Sequence, residues 1–474
     1  MGAELIISRV INKVKEAFKT TPSTAKTTLV ANIIPRAEHP VSRSDISDNA
    51  LKVLYRLHNN GYQAFLVGGC VRDILLGKKP KDFDVTTDAT PEQVKELFRN
   101  CRLIGRRFRL AHVVFGREII EVATFRGHHP SQDEDKENDK DKDSKGQNLS
   151  KQSDHGQLLR DNVFGSIEED AERRDFTVNA MYYNIADYSI HDFANGMQAV
   201  KNRQITMIGD PATRYREDPV RMLRAVRFSV KLGMKISPET AKPIYELAPL
   251  MANIPPARLF EEVLKLLLSG QGLDTYKLLN EFGLFEQLFP QLTPLLKSQN
   301  SRELAFIEQV LMNTDNRINS DMKVTPAFIF AALLWYPLEE RCQQHMVEGG
   351  LNHFDAFNLA LSDVLHRQIQ RIMIPKRFTI TVREIWQLQQ RLPKRYGRRA
   401  FQMLEHPKFR AAYDFLLIRG QIEGGELLEL SQWWTDFQNL NPEQRQGMLK
   451  TLRDKEGGPP KRRSRYRGKK KAAQ

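Results

Sequence analysis

Asp82 and Asp84 flank a single phenylalanine and follow shortly after the pair Gly68-Gly69. On a β-strand alternate side chains share a face, so the two carboxylates project side by side while Phe83 enters a core. Adjacent like charges repel, and one or two Mg2+ ions would relieve that repulsion while holding a nucleoside triphosphate. The chemistry suited to such a pair is phosphoryl or nucleotidyl transfer. Gly68-Gly69, between a strand and a helix, lets backbone N–H groups approach phosphate oxygens without a Cβ in the way, and the helix N-terminus adds a favourable dipole. Arg72 supplies a fixed positive charge. A Gly-Gly turn alone commonly does no more than redirect the chain; its weight comes from the run Gly68-Gly69-Cys70-Val71-Arg72-Asp73 standing just ahead of the aspartates. Gly77-Lys78-Lys79 lacks the glycine spacing and the following Ser or Thr of a P-loop.

A two-metal site often recruits a third carboxylate. Glu121 is the first candidate, the alternative being a solvated strand residue; Asp161 is the second, the alternative being an Asp that closes a loop. Arg173-Arg174-Asp175-Phe176-Thr177-Val178-Asn179 reads as the opening of a helical segment with Asp175 and Asn179 on one face. Those two would bind a ribose hydroxyl and the arginines phosphate, or the segment is an N-capped surface helix. Glu217-Asp218-Pro219-Val220-Arg221 reads as helix continuing through Arg224, Arg227 and Phe228. Asp218 and Arg221 either form a surface ion pair or read a base together. A carboxylate accepting from an exocyclic amine beside a guanidinium donating to a ring nitrogen suits adenine or cytosine, not guanine or uracil.

The elements that must position these residues follow from periodicity. Ser44-Asp45-Ile46-Ser47 opens a helix running toward His58, Tyr62–Val67 reads as a strand, and Val71–Leu76 starts a helix. Lys81–Thr86 is a second strand, Pro91–Phe98 a helix with Thr90 as N-cap, and Ala111–Phe115 with Glu118–Phe125 an antiparallel pair. Residues near 20–40, rich in Thr, Pro and small polar residues, read as a linker. Ser131–Gln157 has almost no apolar residue and is expected to be a disordered insertion. Its Asp139, Asp141 and Asp143 imitate a calcium loop, but Ser144 replaces the required glycine and Ser150 the closing acid, so calcium binding is rejected. Beyond Arg173 nearly everything has helical period, apart from strand-like stretches at Met181–Ile185 and Gln204–Ile208.

The 474 residues exceed one core of ordinary size, and 41% hydrophobic with 27% charged residues is a soluble, well-cored composition. The net charge of +14 suits a phosphate-rich partner. Lys461, Arg462, Arg463, Arg465, Arg467, Lys469, Lys470 and Lys471 supply eight of those charges in a tail with no acid among them, which reads as disordered until it meets a polyanion. Cys70, Cys101 and Cys342 are too dispersed for a disulfide framework or zinc site and indicate a reducing, cytoplasmic compartment. No apolar run reaches bilayer-spanning length. Ile7, Val10, Ile11, Val14 and Phe18 alternate with basic residues as in an amphipathic helix; a packed or flexible terminal helix is the commoner case, a peripheral contact with the inner membrane the other.

Taken together, the Leu66–Asp73 run, the Asp82/Asp84 pair, the Arg173–Asn179 segment and Glu217–Arg221 resemble the class II nucleotidyltransferases, the superfamily of bacterial poly(A) polymerases and CCA-adding tRNA nucleotidyltransferases. Leu103–Val113 looks like the stretch characteristic of bacterial poly(A) polymerase I. The match continues through Glu118–Gly127, Arg160–Asp170, Ile254–Leu268 and Trp386–Phe415. The resemblance implies an α+β protein: a nucleotidyltransferase head with a mixed β-sheet flanked by helices, followed by all-α neck, body and C-terminal RNA-binding regions. The expected divisions are an N-terminal segment 1–42, head 43–195, neck 196–268, body 269–375, RNA-binding region 376–458 and tail 459–474. By motif, Asp82 and Asp84 carry over as metal ligands, and Glu121 and Asp161 as acids of the active-site region. Gly68, Gly69 and Arg72 carry over to the triphosphate, Arg174, Asp175 and Asn179 to triphosphate and ribose, and Asp218 and Arg221 to the base. The implied activity is Mg2+-dependent, template-independent addition of AMP from ATP to RNA 3′ ends, feeding RNA decay and its machinery. CCA addition to tRNA is the close rival, and a non-catalytic RNA-binding protein the distant one. His191-Asp192 stands without the other ligands of an appended metal phosphohydrolase.

Overall fold

The computed structural model describes residues 30–105, 109–127, 163–296 and 301–456. The N-terminal amphipathic helix, residues 106–108 of the signature stretch, the 131–157 insertion, Asp161 and the basic tail lie outside the described residues. The chain divides into two units, one up to Glu217 and one from Asp218.

The first unit is built on an eight-stranded sheet of β1 (Asn32–Ile34), β2 (Ala64–Val67), β3 (Asp84–Thr87), β4 (Cys101–Ile104), β5 (Leu110–Phe115), β6 (Glu118–Thr124), β7 (Met181–Asn184) and β8 (Ile190–Asp192). Their order is β1-β8-β7-β2-β3-β6-β5-β4, and every neighbouring pair is antiparallel except β3 with β6. That parallel pair needs a crossover, which the helix Pro91–Leu97 begins. Thr90 and Gln93 close a reciprocal capping box at its start, with Pro91 in the first turn where no N–H is needed.

Register places one residue from each strand in a single transverse row: Arg102, His112, Glu121, Asp84, Val67, Tyr182, His191 and Ile33 are successive partners. Residues in one row share a face. The opposite face carries the larger core, where Leu66, Val85, Ile120, Val122, Ala111 and Val113 meet three helices. The helix Asp48–Asn59 buries Ala50, Val53, Leu54 and Leu57, one stripe of an amphipathic helix, with Ser47 accepting the Ala50 N–H as N-cap. On the face of the row, a smaller cluster of Phe65, Val67, Phe125, Ile167, Ala171, Tyr182 and Phe193 covers one end. Asp84, Glu121 and Arg102 remain exposed at the other.

Several local expectations need correction. Asn32–Ile34 is a sheet strand inside the stretch read as a linker, and β4 and β8 are likewise strands that periodicity did not announce. Asp82 precedes β3 and does not lie within it. The segment Arg173–Asn179 is no helix beyond the single 3-10 turn Thr177–Asn179, because Phe176 is extended and fully buried. Glu217 and Arg221 belong to two helices, Pro211–Glu217 and Val220–Leu232. Asp218 stands between them, as expected of a residue before proline, which is pushed out of the helical region.

Among the described residues, the second unit is a succession of helices from Val220 to Glu456, with the short strand Lys235–Ile236 between two of them. Two of its buried tryptophans satisfy their N–H groups on backbone carbonyls: Trp386 Nε1 donates to Ala331 O at 2.9 Å and Trp434 Nε1 to Leu392 O at 3.1 Å.

Candidate active site

Gly68 follows β2 and precedes the helix Gly69–Leu75 with φ 78° and ψ −127°, a conformation glycine takes without strain. A Cβ on Gly68 would lie 3.5 Å from Arg174 Nη1, and one on Gly69 would lie 3.4 Å from Arg72 Nη2. The bare Cα atoms of this turn therefore sit against two guanidinium groups.

Each guanidinium is held from behind. Arg72 is buried, its Nε and Nη2 donating to Asp73 Oδ1 at 2.9 and 2.7 Å and its Nη1 to Asn179 Oδ1 at 2.5 Å. Asn179 Nδ2 donates to Asp175 Oδ1 at 3.1 Å, so these two meet although the segment is not helical. Arg174 Nε donates to Tyr182 Oη at 2.8 Å and to Asp170 Oδ2 at 3.2 Å, and its Nη2 reaches the same Oδ2 at 3.0 Å. Asp170 also accepts from Tyr182 Oη at 2.8 Å and from Arg173. Burial alone would raise the Asp170 pKa; the charges of Arg174 and Arg173, with hydrogen bonds from Tyr182 and Arg173, outweigh it and hold the group at about 2. Arg214 Nη2 donates to the carbonyls of both Arg173 and Arg174 at 2.7 Å, pinning the backbone that carries them.

The carboxylates stand one strand away. Val67, the residue before Gly68, is the register partner of Asp84, and Asp84 is in turn the partner of Glu121. Asp84 keeps solvent-accessible surface, yet its pKa rises to about 6, first through partial burial of the carboxyl, then through the charge of Glu121, against the opposing charge of Arg174, with Asp82 adding to the rise. Glu121 Oε1 lies 3.4 Å from His112 Nε2, the next residue along the row.

Among the described residues no three His, Cys, Asp or Glu side chains form a ready-made metal cage. Mg2+ usually binds through one or two carboxylates and completes its octahedron with water and substrate phosphates. A carboxyl whose ionisation is opposed by two neighbouring acids is a donor that a divalent cation would relieve. Asp82, Asp84 and Glu121 therefore fit Mg2+ bound together with a nucleotide.

In the second unit, Asp218 Oδ2 accepts from Arg258 Nη2 at 2.7 Å and its Oδ1 from the Val220 N–H at 3.3 Å. Arg221 is buried in the first turn of Val220–Leu232. The sequence reading missed Arg258 as the ionic partner of Asp218, and no local spacing could have disclosed it. It also missed Asp170 and Tyr182. The spacing of Asp170 to Arg173 and Arg174, three and four residues on, was the available signal.

Three family models match the chain: the poly A polymerase head domain over residues 64–206, the probable RNA and SrmB-binding site of polymerase A over 233–296, and the polymerase A arginine-rich C-terminus over 349–470. The poly(A) polymerase I of Salmonella typhimurium is 56% identical over 98% of both chains. The CCA-adding enzyme of Bacillus pumilus is 36% identical over 51% of this chain and 54% of its own. The crystal structure of the Bacillus stearothermophilus CCA-adding enzyme in complex with CTP matches with a TM-score of 0.52 at 24% identity, over 85% of this chain and 82% of that one, which establishes the shared fold.

Proposed function

Because the chain belongs to the poly(A) polymerase I family, we propose that it is a template-independent polynucleotide adenylyltransferase that adds AMP from ATP to RNA 3′ ends and releases pyrophosphate. The observation that carries this reading is the placement of Asp84, flanked by Asp82 and Glu121, beside a glycine turn lined by Arg72 and Arg174.

In this account Gly68 and Gly69 admit the triphosphate against the backbone, and Arg72 and Arg174 neutralise the charge that gathers on the departing pyrophosphate. Their pre-set positions matter because donors held in place need no reorganisation during the reaction. Asp175 and Asn179, already bonded to each other, present the ribose-binding edge. Asp82, Asp84 and Glu121 would hold Mg2+, which when bound lowers the pKa of the RNA 3′-hydroxyl and screens the phosphates. Asp161 is assigned to the same acidic group by motif. The hydroxyl gives its proton up to solvent, its oxygen attacks the α-phosphorus, and the bond from that phosphorus to pyrophosphate breaks. Asp218 retains lone pairs beyond its bonds to Arg258 and Val220, so its carboxylate can accept from the adenine amine while Arg221 donates to the ring nitrogen. RNA is held by the neck 196–268, the body 269–375, the C-terminal region 376–458 and the basic tail 459–474. The setting is the cytoplasm, on transcripts bound for decay. No helix among the described residues is long and apolar enough to cross a membrane.

The test is to incubate the protein with Mg2+, an RNA of generic sequence and each nucleoside triphosphate in turn. ATP should give a ladder of long products, and GTP and UTP almost none, since they leave Arg221 facing another donor. Short defined additions would instead identify a CCA-adding enzyme, and no incorporation would identify a non-catalytic RNA binder.

A further inference from the structure

A cavity of about 660 Å3 opens in the second unit, lined by none of the residues assigned above to the nucleotide. Four cations surround it: Arg317 from the helix Arg302–Asn319, Lys323 from the loop that follows, and Lys408 and Arg410 at the start of the helix Phe409–Glu423. Its one lining acid is Asp414, which fixes Arg410 at 3.0 Å and lies 4.0 Å from Arg317 Nη1. Among the described residues the ammonium groups of Lys323 and Lys408 make no hydrogen bond or ion pair. The inner wall is apolar, with Phe328 and Ile418 prominent, and Phe328 is braced edge-on by Phe415 at 6.0 Å.

We propose that this cavity is an RNA-binding subsite that takes one or two nucleotides of the transcript away from its growing end, stacking a base against Phe328 while Lys323, Lys408 and the two arginines meet the flanking phosphates. The inference rests on the reading that the protein works on RNA. The volume lies in the range of sites that enclose small ligands, and an aromatic wall with a cationic rim is the composition that binds single strands without reading their sequence. Four cations against one carboxylate match a phosphodiester backbone, and the two lysines are free to move onto it. An adenylated tail, being uniform, would engage such a subsite in any register. The subsite would therefore strengthen the hold on RNA and leave the chemical step alone.

The test uses the full chain and a fluorescent twenty-nucleotide oligoadenylate with a 3′-deoxy end, titrated without ATP over a range of salt, so that its outcome is independent of catalysis. Lys323→Ala/Lys408→Ala should weaken binding roughly tenfold and flatten the salt slope by about 1.4, the value for two lost phosphate contacts on a single strand. Phe328→Leu, which keeps the apolar wall but removes the stacking surface, should weaken binding several-fold with the salt slope unchanged. In turnover with extendable RNA, the lysine variant should raise KM for RNA and leave kcat and KM for ATP at wild-type values. Unchanged RNA affinity in both variants would overturn the proposal. So would an equal loss from Lys376→Ala/Lys450→Ala, exposed lysines outside the cavity, which would reduce the effect to bulk charge. A shift in KM for ATP alone would identify a free-nucleotide site instead.

Discussion

Asp170 touches no expected substrate, yet it sets the position of two arginines. Its carboxylate is wholly buried and accepts from Arg173, Arg174 and Tyr182. Removing one member of a buried ionic group leaves the others uncompensated, which costs about 3–5 kcal/mol. Asp170→Asn should therefore lower the unfolding free energy by that order and lower kcat more than it raises KM for ATP, because Arg174, which meets the charge on the departing pyrophosphate, loses its orientation. The pH dependence has a definite sign. The folded pKa of Asp170 is about 2, below the ordinary aspartate value of 3.8. Its stabilisation is therefore present above about pH 4 and is lost as pH falls through about 2. Acid titration of stability should lose about 2 kcal/mol less over that window in Asp170→Asn than in wild type. If the two acid limbs superimpose, the carboxylate is not held by the arginines. The sequence reading passed over this carboxylate: its spacing to two arginines was a signal, but its burial was not visible, since the helix that carries it packs on Phe65, Val67 and Tyr182 from distant strands.

At the scale of elements, the site depends on one turn and one row of the sheet. Gly68 has a positive φ and its missing Cβ would stand against Arg174. Gly68→Ala should cost about 1 kcal/mol or more in stability from backbone strain, and weaken ATP binding further by pressing on the guanidinium. Equilibrium unfolding and the KM for ATP measure the two effects separately; a variant with wild-type values for both would show that the turn does not set the phosphate site. The strands that carry this geometry were legible in proportion to their length and pattern. β2, β5 and β6 have clear apolar alternation or runs, and the Gly-Gly turn and aspartates flagged their neighbours. β1, with three residues Asn32–Ile34, is too short for a period to appear, and its membership in the sheet follows from pairing with β8. The Arg173–Asn179 segment has acceptable helical spacing, but Phe176 is drawn into the core and extends the chain there. Tertiary burial overrode local preference. Asp175 and Asn179 still meet, so the spacing indicated the right partners for the wrong reason.

At the scale of the molecule, the candidate metal-holding acids and the proposed RNA subsite belong to different units. Asp82, Asp84, Glu121 and the arginines beside the glycine turn lie in the unit ending at Glu217, whereas the cationic cavity belongs to the unit beginning at Asp218. The motif order made the head legible from sequence alone, because each motif there is a few contiguous residues. The helical unit gave only periodicity, and its cavity is assembled from side chains more than 90 residues apart, such as Arg317 and Arg410, that no spacing connects. The separation leads to the most direct measurement of the central claim, which is that Asp84 and its neighbours perform nucleotidyl transfer. Asp84→Asn should reduce single-turnover AMP incorporation by at least about a thousandfold, equivalent to roughly 4 kcal/mol of transition-state stabilisation. Its affinity for RNA should match wild type, and its thermal midpoint should not fall, since the substitution removes repulsion from Glu121 and Asp82. Loss of incorporation with RNA binding and stability intact is the result the account predicts; turnover near the wild-type rate would contradict it.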